Sequence, residues 1–507
     1  MHALYKVATI RAIEQAEMAT LPAGTLMQRA GAATAQAALR MLAHKPAAAT
    51  ILVLAGPGNN GGDALDAAAR LADAGARVSV LLCAEPDRLP QDAQQALQRA
   101  RLAPMNFITT LPPAHWSLII DGLFGIGLMR PIEGAMRTLI TRVNEHGGPL
   151  LAIDVPSGLD ADTGVIVGGD GINSIAIRAT RTITFIADKP GLHTGFGQEQ
   201  AGTVDVADLD IGPDRFPPTT MQLSAPTLFT NAIRRRSQAS HKGTYGEVVV
   251  LGGGDGMTGA VLLAARAALL AGAGKTFAAF VGTVPSHDAL HPELMCRSAA
   301  TVDYGTSVIV AGPGLGQSDP ARGHLLQALN TDRPLVLDAD ALNLIAAEPD
   351  LKARVARHPA PVILTPHPLE AARLMGSTAG TVQADRLHAA MTLARDCNAI
   401  VVLKGSGTII ARPDGQLAIN PTGNPALASG GTGDVLAGLC GALLAQGWPA
   451  WEAATGAVWL HGHAADVLVK NGHGPVGLTA SELLLQVRRE LNRLVPATEL
   501  SSNEAPG

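Results

Sequence analysis

A run of glycines that ends in a carboxylate lies in the second half of the chain, at Gly430-Gly431-Thr432-Gly433-Asp434. The apolar stretch after it, Val435 to Ala445, predicts a helix. A glycine run at a helix start offers backbone N–H groups and the positive end of the helix dipole to an anion. A bound phosphate repels a carboxylate, so Asp434 is better suited to take a proton from an attacking hydroxyl. The alternative is a glycine turn in which Asp434 caps the helix.

Four further loops of the second half each follow a predicted strand, and such loops converge on one crevice of a parallel sheet. They are Gly312 to Gly316, Asp338 to Asn343, Thr365 to Pro368 and Lys404 to Thr408. The last offers a cation, a hydroxyl and close backbone approach for nucleotide phosphates. The two carboxylates of the second could organise Mg²⁺ and water around phosphates. Taken singly, these segments also fit ordinary turns or helix caps.

Two other patterns in this half imitate nucleotide-binding motifs. Gly254, Gly256 and Gly259 have GxGxxG spacing after a predicted strand, yet no acidic residue follows about 20 positions later to bind a ribose. Gly274-Lys275-Thr276 imitates the end of a P-loop, but a helix is predicted before it rather than after it. We therefore reject a Rossmann dinucleotide motif and a P-loop in this half.

The first half carries its own glycine-rich loop. Gly56 to Asp63 follows a predicted strand and precedes an alanine-rich helix, so its backbone N–H groups could wrap a diphosphate. Asp121 to Gly127 and Asp154 to Asp160 also begin at strand ends, which can bring two aspartates to one pocket. The alternative interpretations are a plain connector for the first segment and helix caps for the two aspartates.

These loops belong to a repeating pattern of short aliphatic strands, glycine loops and alanine-rich helices, which is typical of an α/β fold with a mainly parallel sheet. Predicted strands in the first half are 51–55, 78–82, 118–121, 150–154 and 182–185. Predicted strands in the second half are 248–251, 276–281, 308–311, 335–338, 362–365 and 400–404. The proline-rich stretch Ile211 to Pro226 indicates a boundary, so we expect domains at 1–215 and 227–500 with a linker at 216–226.

Composition restricts the possible partners. A chain of 507 residues exceeds what one hydrophobic core usually supports. A net charge of -5 argues against nucleic acid as a partner. The start of the chain does not resemble a signal peptide, and the apolar run Val435 to Ala445 is shorter than the roughly 18 residues that a bilayer requires, so no membrane association is expected. The tail Ser501 to Gly507 is small and polar, and we expect it to be disordered.

Cysteine and histidine spacing gives no sign of a zinc site. The four cysteines lack CxxC spacing and do not suggest a disulfide framework, which fits a reducing cytoplasm; they are Cys83, Cys296, Cys397 and Cys440. His461 and His463 are two residues apart on a predicted helix, so they cannot share a face and are interpreted as core residues.

The second half resembles ADP-dependent NAD(P)H-hydrate dehydratase, a family with a ribokinase-like α/β fold, over nearly all of Ser224 to Val495. The segments that carry the resemblance, in order, are Lys242-Gly243, Gly252 to Ala260, Gly312 to Gly316, Asp338 to Asn343, Thr365 to Pro368, Lys404 to Thr408 and Gly430 to Asp434. Two departures are Leu369, where the family usually has glycine, and Met257, where it often has an aromatic residue.

This resemblance implies a set of roles. Residues expected to bind ADP with its Mg²⁺ are Lys404, Gly405, Ser406, Gly407, Thr408 and Gly433. Residues expected to contact the hydrated dinucleotide are Ala260, Gly314, His367 and Asp434, with Asp434 as the catalytic base. The implied reaction phosphorylates the ring hydroxyl from ADP and then expels phosphate, because hydroxide is a poor leaving group and phosphate a good one.

The first half resembles NAD(P)H-hydrate epimerase, a Rossmann-like three-layer domain, over roughly Val7 to Ile211. The segments that carry this resemblance are Leu26 to Gly31, Gly56 to Asp63, Asp121 to Gly127, Asp154 to Asp160 and Lys189 to Leu192. One departure is Ala64, where a glycine usually follows the NNGGD sequence; its methyl group is expected to narrow the loop or to weaken substrate binding.

The second resemblance also implies site residues. Those expected to bind the hydrated dinucleotide are Asn59, Asn60, Gly61, Gly62, Asp63, Gly125, Ile126, Gly127, Leu128, Met129, Arg130, Pro131 and Asp154. Asp154 is expected to be the acid/base that inverts the hydrated carbon. Asn60, Asp121 and Ser157 are expected to ligate K⁺, a hard cation suited to oxygen donors.

Together these observations predict a fused, cytoplasmic repair enzyme for hydrated NADH and NADPH. Its first domain would interconvert the R and S epimers, and its second would convert the S form to the cofactor with ADP, giving AMP and phosphate. The resemblance also implies a homo-oligomer. One alternative is a ribokinase-like kinase for a sugar or vitamin, which leaves the first domain unexplained. Another is a nucleotide sensor, which gains nothing from carboxylates beside phosphates.

Overall fold

Parallel strands joined by helices dominate the computed structural model, which describes residues 2–113, 115–169 and 174–496. Contacts within the chain separate an N-terminal unit, His2–Gln222 with Gln383–Asp385, from a C-terminal unit, Leu223–Val382 with the chain from Arg386 onward. The tail Ser501 to Gly507 lies outside the described residues. Within the described ranges, no helix has the length and apolar character needed to cross a membrane.

Seven parallel strands form the sheet of the N-terminal unit, in the order β3-β2-β1-β4-β5-β6-β7. They are β1 (Thr50–Ala55), β2 (Arg77–Leu82), β3 (Asn106–Ile108), β4 (Leu118–Gly122), β5 (Leu150–Ile153), β6 (Arg181–Phe185) and β7 (Thr203–Ala207). The helices of this unit are α1 (Val7–Met18), α2 (Thr25–Met41), α3 (Asn59–Asp73), α4 (Gln91–Leu102), α5 (Gly134–Glu145) and α6 (Gly197–Ala201).

Helices cover both faces of this sheet. Ile51 and Val53 of β1 share a buried cluster with Leu65 of α3, whereas Leu52 shares another with Ile140 of α5. Successive side chains of a strand point to opposite faces, so a continuously apolar strand is buried on both sides. The predicted three-layer, Rossmann-like domain is therefore confirmed.

The sheet of the C-terminal unit has the order β11-β10-β9-β12-β13-β14-β15-β16-β17-β8. Its strands are β8 (Met221–Leu223), β9 (Glu247–Gly252), β10 (Lys275–Phe280), β11 (Met295–Ser298), β12 (Val308–Ala311), β13 (Leu335–Leu337), β14 (Val362–Leu364), β15 (Ile400–Leu403), β16 (Ile409–Ala411) and β17 (Leu417–Ile419). Pairing is parallel from β11 to β15 and antiparallel between β15, β16 and β17.

Ten helices accompany this sheet among the described residues. They are α7 (Thr258–Leu270), α8 (Asp319–Leu329), α9 (Ala339–Ala347), α10 (Pro349–Ala356), α11 (Pro368–Met375), α12 (Ala379–Ala384), α13 (Arg386–Cys397), α14 (Thr432–Ala445), α15 (Ala450–Lys470) and α16 (Ala480–Arg493). Apolar side chains of α7, α14, α15 and α16 share one buried cluster with residues of β9 and β12.

The eleven predicted strands are all present, each within one residue of its predicted ends. Six further strands, β3, β7, β8, β11, β16 and β17, were not predicted. Of these, β3, β7 and β11 are partly exposed and lack a continuous apolar run, and β8, β16 and β17 have three residues each. The strand β8 lies inside 216–226, the range predicted as a linker.

One predicted loop is partly helical. The segment Gly56 to Asp63 is interpreted above as a loop, but α3 begins at Asn59, so the NNGGD sequence forms its first turns. Gly61 and Gly62 permit this packing, since a Cβ atom would lie 2.1 Å from the Gly56 carbonyl oxygen at the former and 2.6 Å from Met27 Cε at the latter. Only Gly56 to Gly58 therefore remains available as a loop.

Close packing between α14 and α7 generates a stability prediction. A Cβ atom at Gly438 would lie 2.0 Å from the Ala264 carbonyl oxygen. We expect Gly438→Ala to lower the free energy of unfolding of the C-terminal unit by about 1–3 kcal/mol, because overpacking forces backbone shifts. Urea denaturation monitored by tryptophan fluorescence measures the unfolding of this unit, because it contains Trp448, Trp451 and Trp459.

The matched control is Gly323→Ala in α8, where a Cβ atom would meet no heavy atom within 4 Å. Alanine forms helix better than glycine, so this variant should keep its stability or gain up to about 1 kcal/mol. Equal losses in the two variants would contradict the packing argument.

Candidate active sites

The start of α14 is the candidate anion cradle of the C-terminal unit. Gly431 is the residue before the helix and has φ 89°, a conformation that favours glycine, and no side chain caps the first turn in the described part of the chain. Asp434 is the third residue of α14, so the alternative that it caps the helix is wrong. The buried His461 of α15 donates from Nε2 to the Thr432 carbonyl oxygen at 2.9 Å. Burial lowers the pKa of His461 to about 4, which keeps the ring neutral.

A lysine lies beside this cradle. Lys404 Nζ is 2.8 Å from Asp338 Oδ1 and 4.0 Å from Glu370 Oε2. A Cβ atom on Gly433 would be 3.4 Å from the same Nζ. Burial disfavours the ammonium, but the charges of Asp338 and Glu370 outweigh it and raise the pKa of Lys404. The start of α14 therefore has a cation beside the helix N-terminus, and both features favour an anion.

Asp434 is suited to accept a proton near neutral pH. Burial raises its pKa to about 7, the charge of Asp338 adds to this, and Lys404 acts in the opposite direction. A general base works best with a pKa near the working pH. The carboxylate thus lies in the first turn of α14 and changes its protonation state around neutral pH.

The loop Thr365 to Pro368 joins the same site. The Lys404 N–H donates to the Pro366 carbonyl oxygen at 2.9 Å, which fixes the two loops together. His367 precedes α11 and forms a capping box with Glu370: its Nδ1 accepts from the Glu370 N–H at 3.3 Å, and Glu370 Oε2 accepts from the His367 N–H at 2.8 Å. Burial and Lys404 lower the pKa of His367, so it presents a neutral, half-exposed ring.

The glycine loops after β9 and β12 lie against each other. The Gly254 N–H donates to the Gly314 carbonyl oxygen at 2.7 Å, and a Cβ atom on Gly314 would be 3.2 Å from Ala260 Cβ. The predicted pair Ala260 and Gly314 is therefore brought together. Asp340 Oδ2 accepts from the Gly316 N–H at 2.9 Å and so supports this loop.

A buried arginine supports the predicted nucleotide loop Lys404 to Thr408. Arg386 Nη2 donates to the carbonyl oxygens of Leu403 and Lys404, each at 3.3 Å. Burial lowers the pKa of Arg386 to about 10, which still leaves it charged at neutral pH. Within the loop, Thr408 Oγ1 donates to the Gly405 carbonyl oxygen at 3.0 Å.

The N-terminal unit contains a cavity of about 660 Å³ at the carboxyl ends of β1 and β4. Predicted residues that line it are Asn59, Asn60, Asp63, Gly125, Ile126, Gly127, Leu128, Met129, Arg130 and Asp154. Gly61, Gly62 and Pro131 are not among its lining residues. The Ala64 methyl packs near Gly122 and is not among the residues that line the cavity.

Asp154 follows β5 with φ 65°, an uncommon conformation for a residue other than glycine. Its Oδ1 is 2.8 Å from Nζ of Lys189, a side chain with no solvent exposure. The same Nζ also donates to Thr184 Oγ1 at 2.6 Å and to the carbonyl oxygens of Phe185 at 3.1 Å and Ala187 at 3.2 Å. Strained backbone that surrounding contacts enforce is a feature of functional sites.

Asn60, Asp121 and Ser157 provide oxygen donors near this cavity. Ser157 Oγ donates to Asp121 Oδ1 at 2.7 Å, and the Ser157 N–H donates to Asp121 Oδ2 at 2.8 Å. Burial raises the pKa of Asp121 to about 6, against these hydrogen bonds. Asn60 Oδ1 and Nδ2 are buried without a partner in the described structure. An unpaired buried amide oxygen and a buried carboxylate are oxygen donors of the kind that suits a hard cation such as K⁺.

Comparison with known proteins decides the family. The model for NAD(P)H-hydrate dehydratase matches residues 248–489, and the model for the YjeF-related protein N-terminus matches residues 23–191. The bifunctional NAD(P)H-hydrate repair enzyme of Coxiella burnetii is 37% identical over 97% of this chain and 100% of its own length. This chain belongs to that family. The Escherichia coli enzyme of the same name is 38% identical over 97% of this chain and 95% of its own length.

A solved structure, the ADP/ATP-dependent NAD(P)H-hydrate dehydratase from Bacillus subtilis, is 34% identical and has a TM-score of 0.45, covering 52% of this chain and 96% of that one. Membership in the bifunctional NAD(P)H-hydrate repair family agrees with the ribokinase-like α/β domain expected for the second half.

Several residues of these sites lie outside the sequence motifs. Lys189 enters only as the first residue of the segment Lys189 to Leu192 that carries the resemblance, and neither Arg386 nor Glu14 belongs to any motif. His461 is buried as predicted, but its hydrogen bond to Thr432 also links it to the cradle. No local pattern marks these buried cations, because Lys189 directly follows Asp188 and Arg386 directly follows Asp385.

The buried pair Lys189–Asp154 generates a stability prediction. We expect Lys189→Met to lower the free energy of unfolding of the N-terminal unit by about 3–5 kcal/mol, because Asp154 then keeps a buried charge without its partner. Hydrogen exchange of the β5 amides in the full chain measures this.

Two variants serve as controls for this prediction. Lys45→Met removes an exposed lysine and should change stability by less than about 0.5 kcal/mol. Adding Asp154→Asn to Lys189→Met should restore part of the loss, since both charges are then gone. Additive losses would show that the pair is not coupled.

Proposed function

We propose that the chain repairs hydrated NADH and NADPH in two steps. The N-terminal unit interconverts the R and S epimers, and the C-terminal unit dehydrates the S form with ADP, giving AMP and phosphate. Family membership supports both activities. The observation that carries the second is Asp434, a base with a pKa of about 7, next to Lys404 and the open start of α14.

In the dehydratase step, Asp434 removes the proton from the ring hydroxyl of the hydrate, and the hydroxyl oxygen attacks the terminal phosphorus of ADP. Lys404 and the N–H groups of the first turn of α14 stabilise the negative charge, and AMP leaves. The carbon–oxygen bond then breaks with electrons from the ring nitrogen, and phosphate departs. Loss of a proton from the neighbouring carbon restores the dihydropyridine.

The binding roles expected from the resemblance remain our proposal. Adenine nucleotide would contact Lys404, Gly405, Ser406, Gly407, Thr408 and Gly433, and the hydrate would contact Ala260, Gly314, His367 and Asp434. Among the described residues, no three acidic, histidine or cysteine side chains form a metal cluster. Asp338 and Asp340 already bond to Lys404 and to the Gly316 N–H. We therefore propose that Mg²⁺ arrives with the phosphates of ADP.

In the N-terminal unit we propose that the cavity binds the hydrated dinucleotide and that Asp154 transfers a proton at the hydrated carbon. Asn60, Asp121 and Ser157 would hold K⁺, which would compensate the buried charge of Asp121 and fix the surrounding loops. A reducing, cytoplasmic location is supported by the four free cysteines. The homo-oligomer implied by the resemblance stays a prediction.

Replacement of the base tests the dehydratase step. We expect Asp434→Asn to lower ADP-dependent recovery of NADH by roughly 10² to 10⁴, the usual contribution of a general base. ADP should still bind, because Lys404 and the helix N-terminus remain; isothermal titration calorimetry measures this. The pKa of Asp434 is higher in the folded state than in the unfolded state, so ionisation of this group above about pH 4 lowers the free energy of unfolding of the parent. The variant has no such group and should be at least as stable as the parent at pH 8.

The pKa of Asp434 also predicts how the dehydration rate depends on pH. Asp434 is active when ionised, so the rate should fall as pH drops through about 7 and be about tenfold lower at pH 6 than at pH 8. ADP affinity measured over the same range separates loss of the base from loss of binding. Full activity in Asp434→Asn, or a flat profile between pH 6 and pH 8 with binding unchanged, would refute this role.

A further inference from the structure

One wall of the N-terminal cavity is formed by α1. Ile10, Arg11, Glu14 and Met18 all line the cavity, and their spacing of three to four residues puts most of them on one face of this helix. The helix ends before the stretch 23–191 that the family model matches. No role was assigned to any of these side chains by the motifs.

Glu14 stands out on this wall because its carboxylate is half-buried and unpaired. Among the described residues it forms no hydrogen bond and no ion pair, although it faces the cavity. Glu17, one turn later, pairs instead with Arg215 at 3.4 Å. A carboxylate that stabilises a fold is normally paired when buried, so the position of Glu14 is better explained by a ligand in the cavity.

Inversion of the hydrated carbon requires two proton transfers. The hydroxyl carbon of a hydrated dihydropyridine is bonded to the ring nitrogen, so its carbon–oxygen bond breaks when an acid protonates the oxygen and the nitrogen supplies an electron pair. Water then adds to the opposite face of the planar cation and loses a proton to a base. A proton is consumed in the first step and released in the second, so one donor and one acceptor suffice.

Lys189 cannot be the donor beside Asp154. Its Nζ already has four oxygen neighbours, on Asp154, Thr184, Phe185 and Ala187, for three N–H bonds. It therefore positions Oδ1 of Asp154 and leaves Oδ2 for other partners. Asp63 also lines the cavity, but Asp63 and Asp154 are both about nine-tenths buried, so a pair made of these two would have no member open to water. Glu14 is only partly buried and can exchange its proton with solvent.

We propose that Glu14 and Asp154 are the two proton-transfer groups of epimerisation. This proposal rests on the function proposed for the N-terminal unit. With the S epimer, one carboxyl group protonates the departing hydroxyl and the other carboxylate accepts the proton of the incoming water. With the R epimer the two exchange roles. Each turnover leaves the enzyme in the protonation state that suits the reverse direction, and proton exchange with solvent resets it.

The electrostatic surroundings agree with this assignment. Burial raises the pKa of Glu14, the charge of Asp154 raises it further, and Arg11 and Lys189 lower it. Asp63 faces the same cavity, and burial and the neighbouring carboxylates raise its pKa well above the ordinary value. The remaining charged groups on the cavity wall are Asp92 and Arg130. A fraction of Glu14 is thus protonated at a higher pH than an exposed glutamate would be.

The test supplies the full chain with one purified epimer, without ADP, and follows formation of the other by chromatography. Glu14→Gln should lower the kcat of interconversion by roughly 10² to 10⁴ with a small change in KM. Glu17→Gln, which removes the same charge from the same helix but does not line the cavity, should keep the parental rate. In ¹⁸O-labelled water, the inverted product of the parent should carry the solvent oxygen.

The possible results distinguish failure of the role of Glu14 from failure of the function proposed for the N-terminal unit. ADP-dependent dehydration of the S epimer by Glu14→Gln, at the parental rate, shows that the preparation is intact. If the parent itself does not interconvert epimers, the function proposed for the N-terminal unit fails. If the parent does and Glu14→Gln retains its rate, only the role of Glu14 fails, and a loss confined to Asp63→Asn assigns the transfer to Asp63 instead. Retention of the original oxygen in the inverted product would overturn the carbon–oxygen cleavage step.

Discussion

A buried ammonium–carboxylate pair at the carboxyl edge of a parallel sheet is the interaction on which each site depends. In the N-terminal unit it joins Lys189 to Asp154, and in the C-terminal unit it joins Lys404 to Asp338. Burying any of these charges alone would cost several kcal/mol, so each exists only because its partner is within about 3 Å. The pairs differ in what they hold: Lys189 fixes Asp154, the carboxylate proposed to react, whereas Lys404 is fixed by Asp338 and lies beside the start of α14, the proposed anion cradle.

These pairs require backbone segments to approach closely, and glycine makes that possible. A Cβ atom on Gly312 would lie 1.7 Å from the Asp338 carbonyl oxygen, and one on Gly56 would lie 1.7 Å from that of Leu123. Larger residues there would separate the loops that carry the charged side chains. The glycine-rich segments are therefore required for packing, as the helical Gly61 and Gly62 also illustrate.

Sequence reasoning reached the α/β class, the main strands and the loops of both sites because these depend on local patterns. Alternation of aliphatic runs and glycines predicts where strands end, and parallel topology then brings their loops together. The two ion pairs could not be predicted from local patterns, because Lys189 and Asp154 are 35 residues apart in the sequence and Lys404 and Asp338 are 66 residues apart. The same limit hid the α1 wall with Glu14, the helical start at Asn59 and the direction of the Ala64 methyl group.

The two proposed activities have complementary chemistry. Hydration of the nicotinamide ring creates two epimers, and a dehydratase that accepts one of them needs an epimerase to use the other. The decisive measurement gives the full chain an equimolar mixture of both epimers of hydrated NADH with ADP and Mg²⁺, and follows the near-ultraviolet absorbance of reduced nicotinamide. The account predicts complete recovery of NADH, with one AMP and one phosphate formed for each molecule restored. No recovery, or recovery without matching AMP, would contradict it.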